Sequence, residues 1–193
     1  MPNWCENSLK MVGLKPEIVQ TLVGNITRNE NVHHPDFLRV LYPPPNLREK
    51  YSEKELTKKA QDEDVYIWSE DENIVDVFLS QKDFEWRREN WGVKWDIYIP
   101  DGCPANSILE VGRDYIEVEF LTPWAPPVGV YEYLYHDLGV QVCGKYFEDG
   151  IGYCGIWENG IDNEYDLNNR EYPLLLDETF GITGRIKYRE EVV

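Results

Sequence analysis

The side chains with the clearest chemical potential are three histidines, and their spacing decides what they can do. His33 and His34 are adjacent, so on a strand they point to opposite faces, and on a helix they lie roughly 100° apart. Neither geometry brings two imidazoles onto one metal ion. His136 stands beside Asp137 at the end of an apolar-periodic segment, where an imidazole interacts with the helix dipole. The histidines therefore predict exposed positions rather than a metal or acid–base site.

Local motifs for catalysis or phosphate binding are missing from the sequence. It contains no GxSxG, P-loop, GxGxxG or HExxH pattern. Residues 162–169 alternate oxygen-bearing side chains as a calcium loop does, but they lack its central glycine and its terminal glutamate. We therefore predict no catalytic residues, no metal ligands and no cofactor, and we favour a binding protein over an enzyme.

One segment interleaves basic and aromatic residues. Arg87 and Arg88 lie between Trp86 and Trp91, so guanidinium groups could clamp an anion while an indole ring stacks on a planar group. The candidate binding set for a small anionic ligand or a nucleotide is Trp86, Arg87, Arg88, Trp91, Lys94 and Trp95. The alternative is that the two arginines pair with acids on the same surface, Glu85 and Glu89, as surface charges commonly do.

Acidity is the outstanding property of the composition. Asp and Glu number 36 against 19 Lys and Arg, which gives a net charge of −17 and a pI near 4.5. Such a field repels phosphate backbones and anionic lipid, so it disfavours ordinary nucleic-acid or membrane binding. Carboxylates on a rigid surface can instead occupy a basic groove that normally holds DNA or RNA. The alternative is a solvated face. The candidate contacts are Asp62, Glu63, Asp64, Glu70, Asp71, Glu72, Glu158, Asp162, Glu164 and Asp166.

Four cysteines indicate the redox environment. They stand at positions 5, 103, 143 and 154 and fit no CxxC or zinc-ribbon spacing. Residues 1–7 contain neither the basic region nor the apolar stretch of a signal peptide. We therefore expect reduced, buried thiols in the cytoplasm. Cys143 and Cys154 could face each other across a hairpin, but a reducing compartment disfavours a disulfide between them.

The elements that position these residues follow from hydrophobic periodicity in the first half of the chain. Residues 7–14 alternate polar and apolar side chains as a strand does, and residues 16–28 repeat apolar side chains at helical spacing. Residues 37–42 are apolar and precede three prolines, which predicts an extended segment. Residues 46–90 are rich in charged helix formers. They predict a helical insertion.

The second half of the chain predicts strands around one more helix. Residues 96–99 and 115–122 have strand character, and residues 127–138 carry apolar side chains on one helical face before a glycine. A turn signal between residues 141–147 and 151–157 indicates a hairpin. The basic segment 184–189 predicts an edge strand.

This order of elements predicts an α+β fold. We expect a ferredoxin-like split β-α-β sandwich, in which an antiparallel sheet carries two helices on one face, with the insertion at about 46–90 and an extra C-terminal hairpin. We expect one domain over residues 1–193. Its acidic C-terminal extension begins at about residue 160.

Three segments resemble the Api92-like proteins, also called the YubB ferredoxin-like family, which are known from bacteriophages and plasmids. They are Pro2-Asn-Trp-Cys-Glu-Asn, residues 86–96, and Phe120-Leu-Thr-Pro-Trp-Ala-Pro-Pro. The resemblance extends through residues 41–45 and 146–150 and leaves 50–82 and 165–193 unmatched. It implies a ferredoxin-like fold and a mobile-element origin, hence the cytoplasm of a bacterial host cell, and it carries no catalytic mechanism.

For the tryptophans of these segments we first predict a role in packing. We expect Trp4, Trp91 and Trp124 to converge where the insertion meets the sheet, because their apolar area is too large to leave in water. A stacking platform for a nucleotide is the alternative.

The functional hypothesis combines the charge with the resemblance. We predict a non-enzymatic phage- or plasmid-encoded interaction protein that binds and modulates a host protein complex, with anti-defence activity through an acidic surface that mimics nucleic acid. The alternative is a module that binds or sequesters a small anionic ligand or a nucleotide. Direct nucleic-acid and membrane partners are not expected, and edge pairing adds a homodimer to the expected partners.

Overall fold

A computed structural model describes residues 3–27, 35–65, 73–99 and 107–192 of the chain. Within these ranges the fold is α+β, with six strands and eight helices. The strands are β1 (Trp4–Val12), β2 (Ile108–Val111), β3 (Tyr115–Pro123), β4 (Gln141–Glu148), β5 (Tyr153–Glu158) and β6 (Ile161–Asp166). The helices are α1 (Pro16–Thr27), α2 (Leu38–Leu41), α3 (Leu47–Lys50), α4 (Glu53–Asp62), α5 (Ile74–Asn90), α6 (Val128–His136), α7 (Leu174–Phe180) and α8 (Ile182–Val192).

The strands form one open antiparallel sheet in the order β2-β3-β1-β4-β5-β6. Strand β1 lies near its centre, where Leu9 faces Val118 on one side and Gly144 on the other. The strand ends at Gly13, whose φ of +94° is a conformation that glycine adopts without steric cost. The first strand thus runs from residue 4 to 12 rather than from 7 to 14.

Helices α1 and α6 cover one face of this sheet. Leu22 of α1 and Leu134 of α6 are fully buried in the same cluster as Leu9 and Met11 of β1. The apolar periodicity of the two helical segments therefore identified the side of each helix that faces the core. Helix α6 ends at His136, two residues before the predicted end, and Gly139 follows with φ of +67°.

The opposite face is covered in part by α7 and α8, two helices that the predicted sandwich did not include. Side chains alternate along a strand, so Phe147 of β4 points away from the face that Val142 shares with α6. Phe147 packs with Phe180 of α7 at 5.9 Å between ring centroids, in a second cluster that includes Ile182.

The prediction of an edge strand at 184–189 is also wrong, because these residues lie within helix α8. Gly181 adopts a left-handed conformation that ends α7, and the chain then re-enters a helix. Arg185 reaches back from α8 to pair with Glu6 of β1, and its guanidinium lies 5.1 Å from the ring centroid of Phe147. Packing against the covered sheet face outweighs the local strand signal.

The segment 37–42, which we expected to be extended, forms helix α2. Its N-terminal N–H groups on Phe37, Leu38 and Arg39 donate to the carboxylate of Asp96 at 3.2, 2.8 and 3.0 Å. A side chain 58 positions away thus supplies the cap that the local sequence lacks. Burial raises the pKa of Asp96, and these backbone hydrogen bonds oppose the rise.

Residues 96–99, which we predicted to be a strand, form no regular strand. Asp96 also accepts the N–H of Ile97 at 2.8 Å. The segment makes only an isolated antiparallel bridge, in which Tyr98 pairs with Leu121 of β3.

The described residues of segment 46–90, the predicted insertion, lie mostly in helices α3, α4 and α5, and they have their own small core. Helices α4 and α5 enclose Leu56, Ala60, Val75 and Phe78. Trp91, at the end of α5, is fully buried in the main core and donates from Nε1 to the carbonyl oxygen of Tyr42 at 2.8 Å. The end of α5 therefore joins the insertion to the body.

The hairpin of β4 and β5 is present, and its register separates the two cysteines. Cys143 faces Glu158, whereas Cys154 faces Phe147. Cys5, Cys143 and Cys154 are free thiols, the first and last of them buried. Burial raises the pKa of Cys154 to about 11. Cys103 lies outside the described residues.

Candidate functional site

The aromatic residues of the three segments fall into two groups, so Trp91, which we expected beside Trp4 and Trp124, makes its ring contacts elsewhere. In the first, Trp91 packs edge-on against Trp86 at 6.1 Å, and Trp86 packs against Tyr42 at 5.0 Å between ring centroids. Tyr42 stacks in turn on Tyr133 of α6 at 3.9 Å. This group belongs to the junction between α5 and the body.

The second group lies at the end of β1 and β3. Trp124 meets Trp95 edge-on at 5.7 Å, and Trp4 stacks on Tyr98 at 5.0 Å between ring centroids. The four rings are half-buried. The ammonium of Lys94 lies 4.1 Å from the centroid of Trp124, which is a cation–π contact.

The backbone at Trp124 is held in an unusual conformation. Its φ of +63° is rare for a residue with a side chain. Its N–H donates to the carbonyl of Asn3 at 2.9 Å, and its own carbonyl accepts the hydroxyl of Tyr153 at 2.8 Å. These bonds tie the start of the chain to β3 and β5, and they offset the conformational cost.

The structure divides the residues predicted to hold an anionic ligand. Trp91 is fully buried, so its ring faces are in the core. Arg87 pairs with Asp83 at 3.2 Å, rather than with Glu85 or Glu89 as the alternative supposed, and Arg88 is exposed on the last turn of α5. Lys94 and Trp95 belong with Trp124 in the second aromatic group.

Trp86 also lines a cleft of about 370 Å³ between the α4–α5 pair and the segment that contains Pro44 and Pro45. Tyr51 and Phe78 contribute two more rings to its wall. No local sequence pattern indicates this cleft, because its residues come from three separate segments.

The acidic residues predicted as contacts lie in two regions. Asp62, Glu63 and Asp64 are exposed at the end of α4. Glu158 is exposed at the end of β5, and Asp162, Glu164 and Asp166 are exposed on β6, which forms one edge of the sheet. Glu70, Asp71 and Glu72 lie outside the described residues.

The three carboxylates of β6 share one face of the strand. Residues two apart on a strand point to the same side and lie about 7 Å from each other, twice the rise per residue of about 3.4 Å. Asp162 accepts a hydrogen bond of 2.7 Å from the hydroxyl of Tyr146. Burial, together with that hydrogen bond, raises the pKa of Tyr146.

We did not predict from the sequence the buried polar network that lies next to the second aromatic group. Asn7 of β1 donates from Nδ2 to Thr122 Oγ1 at 2.8 Å, and Thr122 donates to the carbonyl of Ala125 at 2.7 Å. Both side chains are buried. They fix the turn that leads from β3 into α6, a structural role for polar residues of two matched segments.

The described residues contain neither a metal-binding cluster nor a membrane-spanning helix. No group of three or more His, Cys, Asp or Glu side chains in the described part of the chain is placed to hold a metal ion. No helix in the same ranges has the length and apolar character required to cross a bilayer. His33 and His34 lie outside the described residues, and His136 is exposed at the end of α6, as predicted.

The geometry defines a class of protein: an α+β protein with an open, six-stranded antiparallel sheet and helices on both faces. Among solved structures, the chain is similar to a crystal structure of a protein api92 from Yersinia pseudotuberculosis, described by the family model DUF1281. The similarity covers 90% of this chain and 100% of that one, with 12% identity and a TM-score of 0.36, which is a weak relationship. No family model and no curated protein matches the chain.

Proposed function

We propose that this chain is a non-enzymatic interaction protein, encoded by a phage or plasmid, that binds and modulates a host protein complex in the bacterial cytoplasm. The observation that supports it best is the row of exposed carboxylates Asp162, Glu164 and Asp166 along the edge strand β6. A strand held in a sheet keeps such a row rigid, so a basic groove can bind it with little loss of conformational entropy. In this proposal the row mimics nucleic acid and gives the protein its anti-defence activity.

The net charge of −17 adds long-range attraction to a basic partner. It also bears on self-association, because two acidic β6 strands repel each other. A homodimer formed by edge pairing would therefore use β2, at the other edge of the sheet.

The architecture proposed for this module is the ferredoxin-like one. Strands β2-β3-β1-β4 alternate with α1 and α6 in the chain order β-α-β-β-α-β, and every neighbouring pair is antiparallel. These features support a split β-α-β unit, to which β5, β6, α7 and α8 are additions.

The test is a pull-down of host proteins on the immobilised chain, with partner identification and titration. The β6 variant and a matched control remove three charges each and leave side-chain size nearly unchanged. The substitutions are Asp162→Asn, Glu164→Gln and Asp166→Asn in the β6 variant, and Glu132→Gln, Glu171→Gln and Glu178→Gln in the control.

We expect the native chain to retain a basic nucleic-acid-binding partner. The β6 variant should bind it at least tenfold more weakly, the control should bind it within twofold of the native chain, and added duplex DNA should compete. An empty pull-down at low salt, or equal losses in the two variants, overturns the proposal. If duplex DNA does not compete with the chain for the partner, the part of the proposal that concerns mimicry of nucleic acid is overturned.

A second candidate function, the binding of a small anionic ligand or a nucleotide, is supported by the second aromatic group. Lys94 places a cation over the ring of Trp124, and Trp95 lies beside it. A nucleotide base stacked on an indole there would have its phosphate near that ammonium. Thermal unfolding with a panel of nucleotides checks this, since a ligand that raises Tm in the native chain should lose most of that effect with Lys94→Ala. No shift with any nucleotide overturns it.

A further inference from the structure

The cleft beside Trp86 has the size and lining of a small-molecule site. Its volume of about 370 Å³ lies within the range of roughly 300–1,000 Å³ that ligand pockets occupy. Its walls are the rings of Tyr51, Phe78 and Trp86 together with Pro44 and Pro45. Phe78 belongs to the small core of segment 46–90 and Trp86 packs against the main core, so the lining draws on both clusters.

Carboxylates outnumber ammonium groups among the residues that line the cleft. Four carboxylates line it against two ammonium groups. One of the four, Asp83, is already paired with Arg39 and Arg87 at 3.2 Å each. Glu89 is exposed and forms no ion pair with any residue that the structure describes.

Two lysines show how this lining holds an alkylammonium group. Lys82 reaches Glu63 and Glu85 at once, and its nitrogen lies 5.4 Å from the ring centroid of Phe78. The hydrogen bond to Glu63 is the largest cause of a raised pKa at Lys82. Lys59 places its nitrogen 5.1 Å from the ring centroid of Tyr51. Carboxylates and ring faces therefore already bind primary ammonium groups that end methylene chains.

Two of the carboxylates are spaced for a second, longer amine, although Glu85 already accepts from Lys82 and, through Oε1, from Gln81 Nε2 at 3.0 Å. Glu85 and Glu89 are four residues apart on α5, so they share one face of the helix and lie about 6 Å apart along its axis, given a rise of about 1.5 Å per residue. Trp86 lies between them in sequence and lines the same cleft. An aliphatic diamine can span two such carboxylates while its methylenes cover the indole.

We propose that the cleft binds an aliphatic polyamine, with ammonium groups on Glu85 and Glu89 and its methylene chain against Trp86. Each carboxylate oxygen has two lone pairs, so Glu85 keeps acceptor sites for the ligand beside its bonds from Lys82 and Gln81. An anionic ligand would have to displace these carboxylates from Lys82, and the net charge of −17 opposes its approach. This site is separate from the β6 carboxylates of the proposed function.

The experiment is a calorimetric titration of the native chain with spermidine at about 0.15 M salt, where long-range attraction is largely screened. The cleft variant is Glu85→Gln with Glu89→Gln, and the β6 variant defined above is the control that loses charge elsewhere. We expect saturable 1:1 binding, at least tenfold weaker in the cleft variant and within twofold of native in the control. Thermal unfolding of each variant verifies that it is folded.

Three outcomes overturn the proposal. Equal weakening in the cleft and β6 variants shows that net charge alone attracts the amine. Displacement of spermidine by Mg²⁺ at the same charge concentration shows that the methylene chain contributes nothing. Absence of binding in the native chain removes the site, and this result is independent of whether the β6 carboxylates bind a host protein.

Discussion

At the scale of the residue, the carboxylate of Glu55 is held by the residue that precedes its own helix. Ser52 donates its hydroxyl and its backbone N–H to Glu55 Oε2 at 2.7 and 2.8 Å. These bonds, the hydroxyl first, lower the pKa of Glu55 from its ordinary 4.5. The depressed pKa means that Glu55 stabilises the folded chain above pH 4.5, and that this contribution is lost as the pH falls through the folded-state pKa.

We predict that an NMR titration of the Glu55 carboxyl carbon has its midpoint below 4.5. The variant Ser52→Ala removes the hydroxyl donor, so the midpoint should move upward, and α4 should lose about 1 kcal/mol of cap stabilisation. A midpoint that Ser52→Ala leaves unchanged contradicts the assigned cause.

Single residues show what a sequence can reveal. Ser52 and Glu55 form their bonds within one helical turn, so the spacing of a capping box is a local signal for them. The exposure of each indole was not predictable in this way. Trp91 and Trp95 are four positions apart and equally apolar, yet one is fully buried and the other half-buried, because contacts with Tyr42 and Trp124 decide it.

At the scale of the element, the junction of α5 with α6 depends on one glycine. A Cβ on Gly129 would lie 1.9 Å from the carbonyl oxygen of Asn90, which is backbone and cannot rotate away. A Cβ on Gly24, inside α1, would have no heavy atom within 4 Å. The two glycines are thus a matched pair, one required by packing and one not.

We predict that Gly129→Ala lowers the free energy of unfolding by about 1 to 3 kcal/mol, because overpacking forces the two helices apart. Gly24→Ala should raise it by roughly 0.5 to 1 kcal/mol, through the better helix propensity of alanine. Urea unfolding at constant m-value measures both changes. If Gly129→Ala is as stable as the native chain, the close approach of α5 and α6 is wrong.

The prediction of secondary structure was wrong where a distant side chain or a packed face decides the local conformation. Asp96 caps α2 from 58 positions away, so no window around residues 37–42 contains that information. Residues 182–192 become helical against Phe147 and Glu6, whose proximity depends on the finished sheet. The predictions of α1 and α6 were correct because the apolar side chains of each helix lie on one face, and any sheet packed there would provide the core.

At the scale of the whole molecule, the net charge sets a balance between local pairing and global repulsion. The ion pairs of the described residues lie on the surface, as where Lys10 bridges Glu110 and Glu117 at 3.1 and 3.3 Å. Such pairs contribute about 0–1 kcal/mol each. Their number does not offset the repulsion among the excess carboxylates, since the chain carries 36 acids against 19 bases.

We therefore predict that the Tm of the native chain rises as NaCl increases from about 0.01 to 0.5 M, because the Debye length falls from about 30 Å to a few ångströms. The β6 variant should unfold at a higher Tm than the native chain in low salt and should gain less from added salt, since three carboxylates of the acidic row have been neutralised. The same three-charge change in the control variant spreads over separate sites and should raise the low-salt Tm by less. Scanning calorimetry across the salt series measures all three chains. A Tm that falls with salt would show instead that the surface ion pairs, and not the repulsion among unpaired acids, dominate the electrostatic free energy of this fold.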